Sequence, residues 1–209
     1  MIIDLHFHTS QFSPCSHIDM EEGIKKAKAM GLDGICITDH DNNESKKYVN
    51  KLREKYGLIV IAGVEILTYE GDILCFGMDK VPEKKLHAQE LIDLVNQLGG
   101  ATISAHPFRN NGRGLGDTIK DIRGLSAIEI FNGNTSPENN FRANKIANIL
   151  NIPCVGASDA HRLQNIGKYA TKFFDNITDE NDLIRAINHG KVVPVYYDND
   201  SKKFNEFVD

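Results

Sequence analysis

Five of the eight histidines in this 209-residue sequence lie at the ends of apolar, strand-like segments. They are His6, His8, His40, His106 and His161. Two acids occupy equivalent positions, Glu65 after the third such segment and Asp159 two residues before His161. Imidazole nitrogen and carboxylate oxygen together favour zinc, manganese or iron over calcium or magnesium. The residue types therefore predict a site for divalent metal ions.

The spacing within each pair supports the same chemistry. His6 and His8 are two residues apart, so both rings project from one side of a strand and form a chelating pair. Asp159 and His161 repeat this spacing. A carboxylate such as Glu65 has two oxygens and can bridge two ions. Two or three ions about 3.5–4 Å apart bind a phosphate group, activate water near neutral pH and stabilise a leaving oxygen.

Arginines and a further acid lie close to these motifs. Arg109 and Arg162 follow the histidine motifs by three residues and one residue, and they are either solvated charges or contacts to an anionic substrate. Arg113 is interpreted as a solvated charge. Asp39, next to His40, is interpreted as a residue that orients the metal ligands, with helix capping as the alternative.

Apolar strands alternate with amphipathic helices along the whole chain. Strands are predicted at 1–6, 34–38, 58–62, 72–77, 101–105, 127–131, 152–157, 170–174 and 192–195. Helices are predicted at 19–30, 44–56, 85–98, 137–150 and 178–189. Near-continuous apolar strands separated by helices indicate an α/β fold with a parallel sheet, and about seven such strands suffice to close a barrel. The carboxyl ends of barrel strands share one face, so the pattern gathers the polar residues there.

The domain organisation follows from the same pass along the chain. We expect residues 1–209 to form a single domain, because no linker, repeat or low-complexity tract interrupts them. The segment 110–116 is rich in glycine and asparagine and is interpreted as a loop that covers the cleft. The polar tail, residues 198–209, is expected to fray.

Composition narrows the class of protein. The net charge of −5 does not favour tight electrostatic binding to duplex nucleic acid. The first residues, Met-Ile-Ile-Asp-Leu-His, lack a charged-then-apolar leader, and no apolar run approaches the ~18 residues of a membrane span. The four cysteines form no CxxC pair, and Cys36, Cys75 and Cys154 lie in apolar runs as expected of buried thiols. We therefore expect a cytoplasmic protein without a membrane partner.

Six short motifs, in this order, resemble the PHP family, named for polymerase and histidinol phosphatase domains. The motifs are Asp4-Leu5-His6-Phe7-His8-Thr9, Ile37-Thr38-Asp39-His40, Gly63-Val64-Glu65, Ala105-His106-Pro107, Ile128-Glu129-Ile130-Phe131-Asn132 and Ser158-Asp159-Ala160-His161. Each motif alone is weak, but six in the family's order are specific. The resemblance implies a distorted (β/α)7 barrel and up to three metal ions.

The resemblance also implies how the ligands are shared. It assigns His6, His8, Glu65 and Asp159 to the first ion. It assigns Glu65 with His106 to a second ion. It assigns His40 and His161 to a third. The expectation is therefore one to three ions of zinc, manganese or iron.

Two positions depart from the family pattern. Many members carry an aspartate or histidine about five residues after the second histidine of the first motif, where this chain has Ser13. Cys15 or His17 is the nearest substitute. Many members also carry a histidine after the glutamate motif, where this chain has Leu74. Glu129, Cys75 or water is then a further candidate ligand for the second ion.

The predicted activity is hydrolysis of a small phosphate ester or of a nucleotide or oligonucleotide end, with Glu65, Asp159 and His106 as catalytic residues. The expected partners are a small anionic, phosphate-containing substrate and single-stranded nucleic-acid ends. An amidohydrolase is the closest alternative, because it also uses a HxH strand motif and a bridging group such as the Glu65 carboxylate. A non-catalytic PHP module that binds metal in a regulatory role is the third hypothesis.

Overall fold

The computed structural model describes residues 1–207 and has a mixed α/β fold. These residues contain five α-helices and eleven strands in two sheets. The helices are α1 Met20–Ala29, α2 Val49–Tyr56, α3 Ala88–Gln97, α4 Pro137–Leu150 and α5 Glu180–His189. The strands are β1 Ile2–Phe7, β2 Gly34–Ile37, β3 Ile59–Ala62, β4 Val64–Leu67, β5 Asp72–Phe76, β6 Ala101–Ser104, β7 Ala127–Asn132, β8 Cys154–Ala157, β9 Tyr169–Phe173, β10 Val192–Asp198 and β11 Lys203–Glu206.

The two sheets are parallel in part and antiparallel in part. The first has the strand order β11-β10-β9-β1-β2-β3, and the second has the order β4-β5-β6-β7-β8. Helical crossovers make β1, β2 and β3 parallel, and β6, β7 and β8 are parallel as well. The prediction of a parallel sheet was wrong for β5, β9 and β10, which pair antiparallel, and β11, which was not predicted as a strand, is antiparallel as well. Short hairpins join β4 to β5 and β10 to β11, and a tight turn reverses the chain direction.

The two sheets meet at the ends of their strands. Two isolated parallel bridges connect them, one between Phe7 and Ala160 and the other between His40 and Glu65. Gly63 separates β3 from β4 in the core, where a Cβ atom would lie 2.6 Å from the Phe76 ring. Within residues 1–207 no continuous ladder closes the two sheets into one barrel. The bridges nevertheless bring the carboxyl ends of β1, β2 and β8 to the same place as β4.

Three apolar clusters hold this arrangement. One lies between the sheets and contains Leu5, Leu74 and Phe173, all fully buried. The other two lie under the helices on the outer faces of the sheets. Burying side chains of this size contributes about 1.5–3 kcal/mol each. The interior between the sheets is therefore a packed core that supports the polar strand ends from below.

The helices begin and end close to the predicted positions. Asp19 caps α1 by accepting hydrogen bonds from the N–H groups of Glu21 and Glu22, and Gly190 ends α5 in the left-handed conformation. The helix predicted at 44–56 is divided into a 3-10 turn and α2. No helix in the described part of the chain is both long enough and apolar enough to span a bilayer.

The tail differs from the expectation that residues 198–209 fray. β10 continues to Asp198, and β11 pairs with it in an antiparallel ladder from Lys203 to Glu206. Phe207 then stacks on Phe131, with ring centroids 3.7 Å apart. The aromatic contact and the ladder hydrogen bonds order a segment whose polar composition alone predicts disorder; residues 208 and 209 lie outside the described residues.

A buried carboxylate connects β1 to the segments after β8. Asp4 accepts hydrogen bonds from the N–H groups of Ser158 and Gly167, at 2.9 and 3.1 Å. Burial raises the pKa of Asp4 to about 6, although these hydrogen bonds act in the opposite direction. The contacts fix the loop that carries the Ser158-Asp159-Ala160-His161 motif against the strand that carries His6.

Candidate metal centre

All seven residues predicted as metal ligands come together where the two sheets meet. His6 lies on β1 and His8 just after it, Glu65 lies on β4, and the others follow β2, β6 and β8. The set is His6, His8, His40, Glu65, His106, Asp159 and His161. Five strands or strand ends from both sheets are thus needed to build one site.

Two of these residues have an uncommon backbone conformation. His106 has a φ of 30° and Asp159 a φ of 49°, in the left-handed region that residues other than glycine rarely adopt. Such a conformation costs about 1–3 kcal/mol and persists where surrounding contacts enforce it. The Glu129 carboxylate accepts a hydrogen bond from the His106 N–H at 2.7 Å, and this contact holds the turn. The fold thus turns both side chains into the site at a local cost.

Four donor atoms face one another in the centre of the site. Nε2 of His6 lies 3.0 Å from Nε2 of His8. Oε2 of Glu65 lies 3.4 Å from the His6 nitrogen and 3.3 Å from the His8 nitrogen. Oδ1 of Asp159 lies 3.5 and 3.3 Å from the same two nitrogens. The four side chains are almost completely buried.

These four atoms fit a divalent cation. Glu65 Oε2 and Asp159 Oδ1 are buried and accept no hydrogen bond of acceptable geometry from the described residues. An unsatisfied buried carboxylate oxygen is costly, so a cation is the partner that this arrangement lacks. Ligands at 2.0–2.1 Å from a tetrahedral ion are about 3.3 Å apart, and the five distances given above lie between 3.0 and 3.5 Å. We name His6, His8, Glu65 and Asp159 the four-donor set.

Glu65 directs its two oxygens to different neighbours. Oε1 lies 2.9 Å from Nε2 of His106, whereas Oε2 faces the four-donor set and Nδ1 of His40 at 2.9 Å. His106 lies in a second group of donors with Glu65 and Asp72, and His6, His106 and Asp159 form another. A carboxylate that divides its oxygens in this way is placed to connect two adjacent cation sites.

Glu129 lies behind His6 rather than facing the centre. Its Oε1 is 3.1 Å from Nδ1 of His6, and its Oε2 accepts a hydrogen bond from the amide of Asn132 at 2.9 Å. A proton on Nδ1 that is shared with Glu129 leaves Nε2 as the lone-pair donor toward the four-donor set. Glu129 is therefore placed to orient a ligand, and it belongs to none of the donor groups.

His40 and His161 complete a third group around His8. Their rings lie 4.4 Å from the His8 ring by centroid distance, and both are partly exposed. Asp39 accepts hydrogen bonds from the backbone N–H and the hydroxyl of Thr9, the residue after His8, so its orienting role stays a prediction. This group lies on the open side of the site.

The two substitute ligands suggested for the third ion lie outside the donor groups. Cys15 and His17 are exposed and belong to none of the donor groups of residues 1–207. Ser13 occupies the space beside His8 and His40: its hydroxyl accepts a hydrogen bond from the His40 N–H at 3.0 Å. The structure thus places a hydroxyl at the position where the family resemblance leads to an acid or a histidine.

The two predicted substrate-binding arginines differ in position. Arg109 contacts the Asp159 carboxylate and donates to Oδ1 of Asn132 at 2.8 Å, so it lies inside the site. Arg162 is exposed and lines an open depression with His17 and Gln164. Arg109 is thus adjacent to the four-donor set, and Arg162 lies on the surface beside it.

Two residues that lie in the site were not predicted from the sequence to be functional. Asp72 is fully buried and lies 3.8 Å from Nε2 of His106. Arg113, interpreted as a solvated charge, binds Asp72 through two hydrogen bonds of 2.7 and 2.9 Å. Asp72 lies two residues before Leu74, the position where many family members carry a histidine. Residues two apart on a strand share a face, so this spacing could have indicated Asp72.

The electrostatics of the site favour a bound cation. Burial would lower the pKa of His6, but Glu65 and Glu129 outweigh it and raise the pKa to about 10. Burial acts to raise the pKa of Glu65, but His6 and the other neighbouring histidines hold it well below its usual range. Burial and the neighbouring histidines lower the pKa of His161 to about 3, so its ring is neutral. The acids around His6 thus favour a positive charge at this position, and a metal ion that binds Nε2 of His6 displaces the ring proton there.

A close backbone approach fixes the strand ends beneath Asp159. Gly133 follows β7, and a Cβ atom on it would lie 2.2 Å from the carbonyl oxygen of Ser158. We expect Gly133→Ala to lower the free energy of unfolding by about 1–3 kcal/mol, because the backbone of the β8 loop must move away. Thermal unfolding measures this loss. Lys145→Ala is the control, since Lys145 is an exposed residue of α4; equal losses in both variants would contradict the steric argument.

Comparison with known proteins places this geometry in a family. The PHP domain model matches residues 4–141, and the model of a PHP-associated region matches residues 137–192. An uncharacterized protein of Methanocaldococcus jannaschii is 31% identical over 157 residues, which cover 70% of this chain and 91% of that protein.

Solved structures share the fold at low sequence identity. A candidate metal-dependent phosphoesterase from Bifidobacterium adolescentis has a TM-score of 0.65 at 18% identity, covering 88% of this chain and 95% of that one. PsfC from Pseudomonas syringae has a TM-score of 0.69 at 18% identity, covering 93% and 91%. An amidohydrolase from Chromobacterium violaceum has a TM-score of 0.60 at 16% identity, covering 76% and 87%. The six motifs stand in the family's order, their histidines and acids form the donor groups, and the PHP domain model matches well over half of the chain. This chain therefore belongs to the PHP family.

Proposed function

We propose that this protein is a metal-dependent phosphoesterase that hydrolyses a small phosphate ester or the end of a nucleotide or oligonucleotide. The observation that carries the proposal is the four-donor set, in which two buried carboxylate oxygens without hydrogen-bond partners face two imidazole nitrogens. Zinc, manganese or iron bound there would activate a water molecule and neutralise charge on a phosphate group.

The residues of the chain prepare this centre in separate ways. Glu129 orients His6 through Nδ1, so that Nε2 faces the other donors. Glu65 and Asp159 supply negative charge, and His106 lies against Oε1 of Glu65. His40 and His161 lie on the open side, where they are positioned for further ions or for the substrate. Glu65, Asp159 and His106 remain the residues to which we assign catalysis.

An anionic substrate is favoured over an amide by the cations at the site. Arg109 lies beside Asp159, and Arg113 lies beside Asp72, so two guanidinium groups border the donors. Guanidinium groups bind phosphate oxygens through paired hydrogen bonds. The fold similarity to a candidate phosphoesterase and to an amidohydrolase is comparable, so it does not separate the two chemistries. Arg162 is proposed as an additional contact at the surface.

We also propose that the two sheets are the halves of a distorted (β/α)7 barrel, and that residues 1–209 form one cytoplasmic domain. The bridges Phe7–Ala160 and His40–Glu65 support the barrel, because they connect the sheets on two sides. Four free cysteines support a reducing compartment.

The proposal predicts turnover of phosphate esters by metal-loaded protein. Metal-stripped protein is reloaded with manganese, zinc or iron and assayed with phosphate monoesters, nucleotides and short single-stranded oligonucleotides. We expect release of phosphate or of a terminal nucleotide only after reloading. Amides and cyclic ureides are assayed in parallel, and turnover of these alone would identify an amidohydrolase. Metal binding without turnover of either panel would favour the non-catalytic regulatory module.

A further inference from the structure

The Asp72 carboxylate is held by a guanidinium group rather than left open to the site. Nε of Arg113 donates to Oδ2 of Asp72 at 2.7 Å, and a terminal nitrogen donates to Oδ1 at 2.9 Å. Asp72 is fully buried, and the Arg113 side chain is one-third exposed. A bidentate guanidinium–carboxylate pair of this kind is strong and directional.

Asp72 belongs to a group of donors with Glu65 and His106, next to the four-donor set. It lies on β5 two residues before Leu74, so both face the space between the sheets. Leu74 packs in the apolar core, whereas Asp72 is the polar end of the same strand face. Without Arg113, this group would offer a second cation two carboxylates and an imidazole.

Arg113 also contacts the third group of donors. Its terminal nitrogen lies 3.3 Å from Nδ1 of His40. The same ring nitrogen lies 2.9 Å from Oε2 of Glu65, so the guanidinium group is next to both His40 and the bridging carboxylate. One side chain therefore engages a donor in each of the two groups outside the four-donor set.

The backbone holds Arg113 in this position. Its carbonyl oxygen accepts a hydrogen bond from the Asp72 N–H at 2.6 Å. Gly71 packs so closely that a Cβ atom on it would lie 2.5 Å from the backbone nitrogen of Leu115, which is itself buried. The loop predicted to cover the cleft is thus fixed to β5, and these backbone contacts hold Arg113 in the site.

We propose that Arg113 is a built-in cation that takes the place of further metal ions. The protein then binds one divalent ion, in the four-donor set, and the Arg113 guanidinium supplies a second positive charge. This charge both satisfies Asp72 and binds the anionic group of the substrate. The last role rests on the proposed phosphoesterase function, whereas the number of ions does not.

The number of bound ions tests the proposal without any assay of turnover. Metal-stripped protein is saturated with Zn²⁺, desalted and analysed for metal per chain. We expect one ion in the wild type and two in Arg113→Ala, because the freed Asp72 carboxylate then joins Glu65 and His106. The double variant Arg113→Ala with Asp72→Asn should return to one ion. Two or more ions in the wild type, or one in Arg113→Ala, would overturn the proposal.

Matched variants keep the experiment interpretable. Arg185→Ala removes an exposed arginine of α5 and should leave one ion bound. Arg113→Gln retains a hydrogen bond to Asp72 without the charge and should also bind two ions, which covers the case in which Arg113→Ala does not fold. With one ion loaded, binding of inorganic phosphate should weaken about tenfold in Arg113→Gln. Unchanged phosphate binding would overturn the substrate role, while the phosphoesterase assay decides the activity independently.

Discussion

Replacing Glu65 by glutamine will abolish tight metal binding and lower kcat/KM for the best phosphate ester by at least about 100-fold. The substitution preserves shape but removes the charge that faces His6 and His8 at 3.4 and 3.3 Å. It also replaces an oxygen at the contact with His106 or at the four-donor set by an amide N–H₂, which cannot bind a cation. Loss of a residue that only orients a metal ligand costs about 10–100-fold, so loss of a ligand should cost more.

The measurement combines metal content with steady-state kinetics on reloaded protein. Glu54→Gln is the control, because Glu54 is an exposed residue of α2. Asp159→Asn should behave like Glu65→Gln, since Oδ1 of Asp159 completes the same set. If Glu65→Gln retained both its metal and its activity, the four-donor set would not be the reactive centre.

The position of the site could be predicted because it depends on strand ends. His6, Glu65 and Asp159 are far apart in the sequence, but each follows or ends an apolar strand-like run. Strands of an α/β fold carry their polar carboxyl ends to one face whatever the exact register. The prediction therefore survived errors in strand direction, such as the antiparallel pairing of β5.

Asp72 and Arg113 could not be assigned in this way. Asp72 faces His106 only because the hairpin of β4 and β5 pairs Leu67 with Asp72 and Glu65 with Leu74, and a shift of one residue would turn it outward. Arg113 lies in a loop that is rich in glycine and asparagine. The loop is ordered by tertiary contacts, because Gly71 packs against its backbone and the Asp72 N–H donates to the Arg113 carbonyl. Neither the register of the β4–β5 hairpin nor the contacts of the Arg113 loop can be predicted from the local sequence.

The C-terminal tail is another segment whose structure depends on tertiary contacts rather than on local sequence. The polar composition of 198–209 predicts fraying, yet β11 pairs with β10 from Val195 to Asp198. Pairing of this kind depends on a partner edge and on the Phe131–Phe207 contact, both supplied by distant segments. Strand periodicity is weak in short polar strands, so the ladder is found only when the partner is known.

Chelation of the metal will lower the melting temperature by about 5–15 °C. A ligand that binds only the folded chain stabilises it by about 2.7 kcal/mol at 100 times its Kd and about 4.1 kcal/mol at 1,000 times. For a chain of this length, 1 kcal/mol corresponds to roughly 2–4 °C. Thermal unfolding is measured in the metal-loaded protein, after chelator treatment and after metal is added back.

The origin of this shift lies in the charges gathered at the strand ends. Glu65, Glu129 and Asp159 are buried almost completely within one site, and their repulsion is relieved by an added cation. The unfolded chain cannot gather donors from β1, β4 and the loop after β8, so the metal stabilises the folded state selectively. In Glu65→Gln the chelator should therefore leave the melting temperature nearly unchanged. An equal shift in that variant and in the wild type would mean that the stabilising ion binds elsewhere, and the four-donor set would then lose its role in holding the two sheets together.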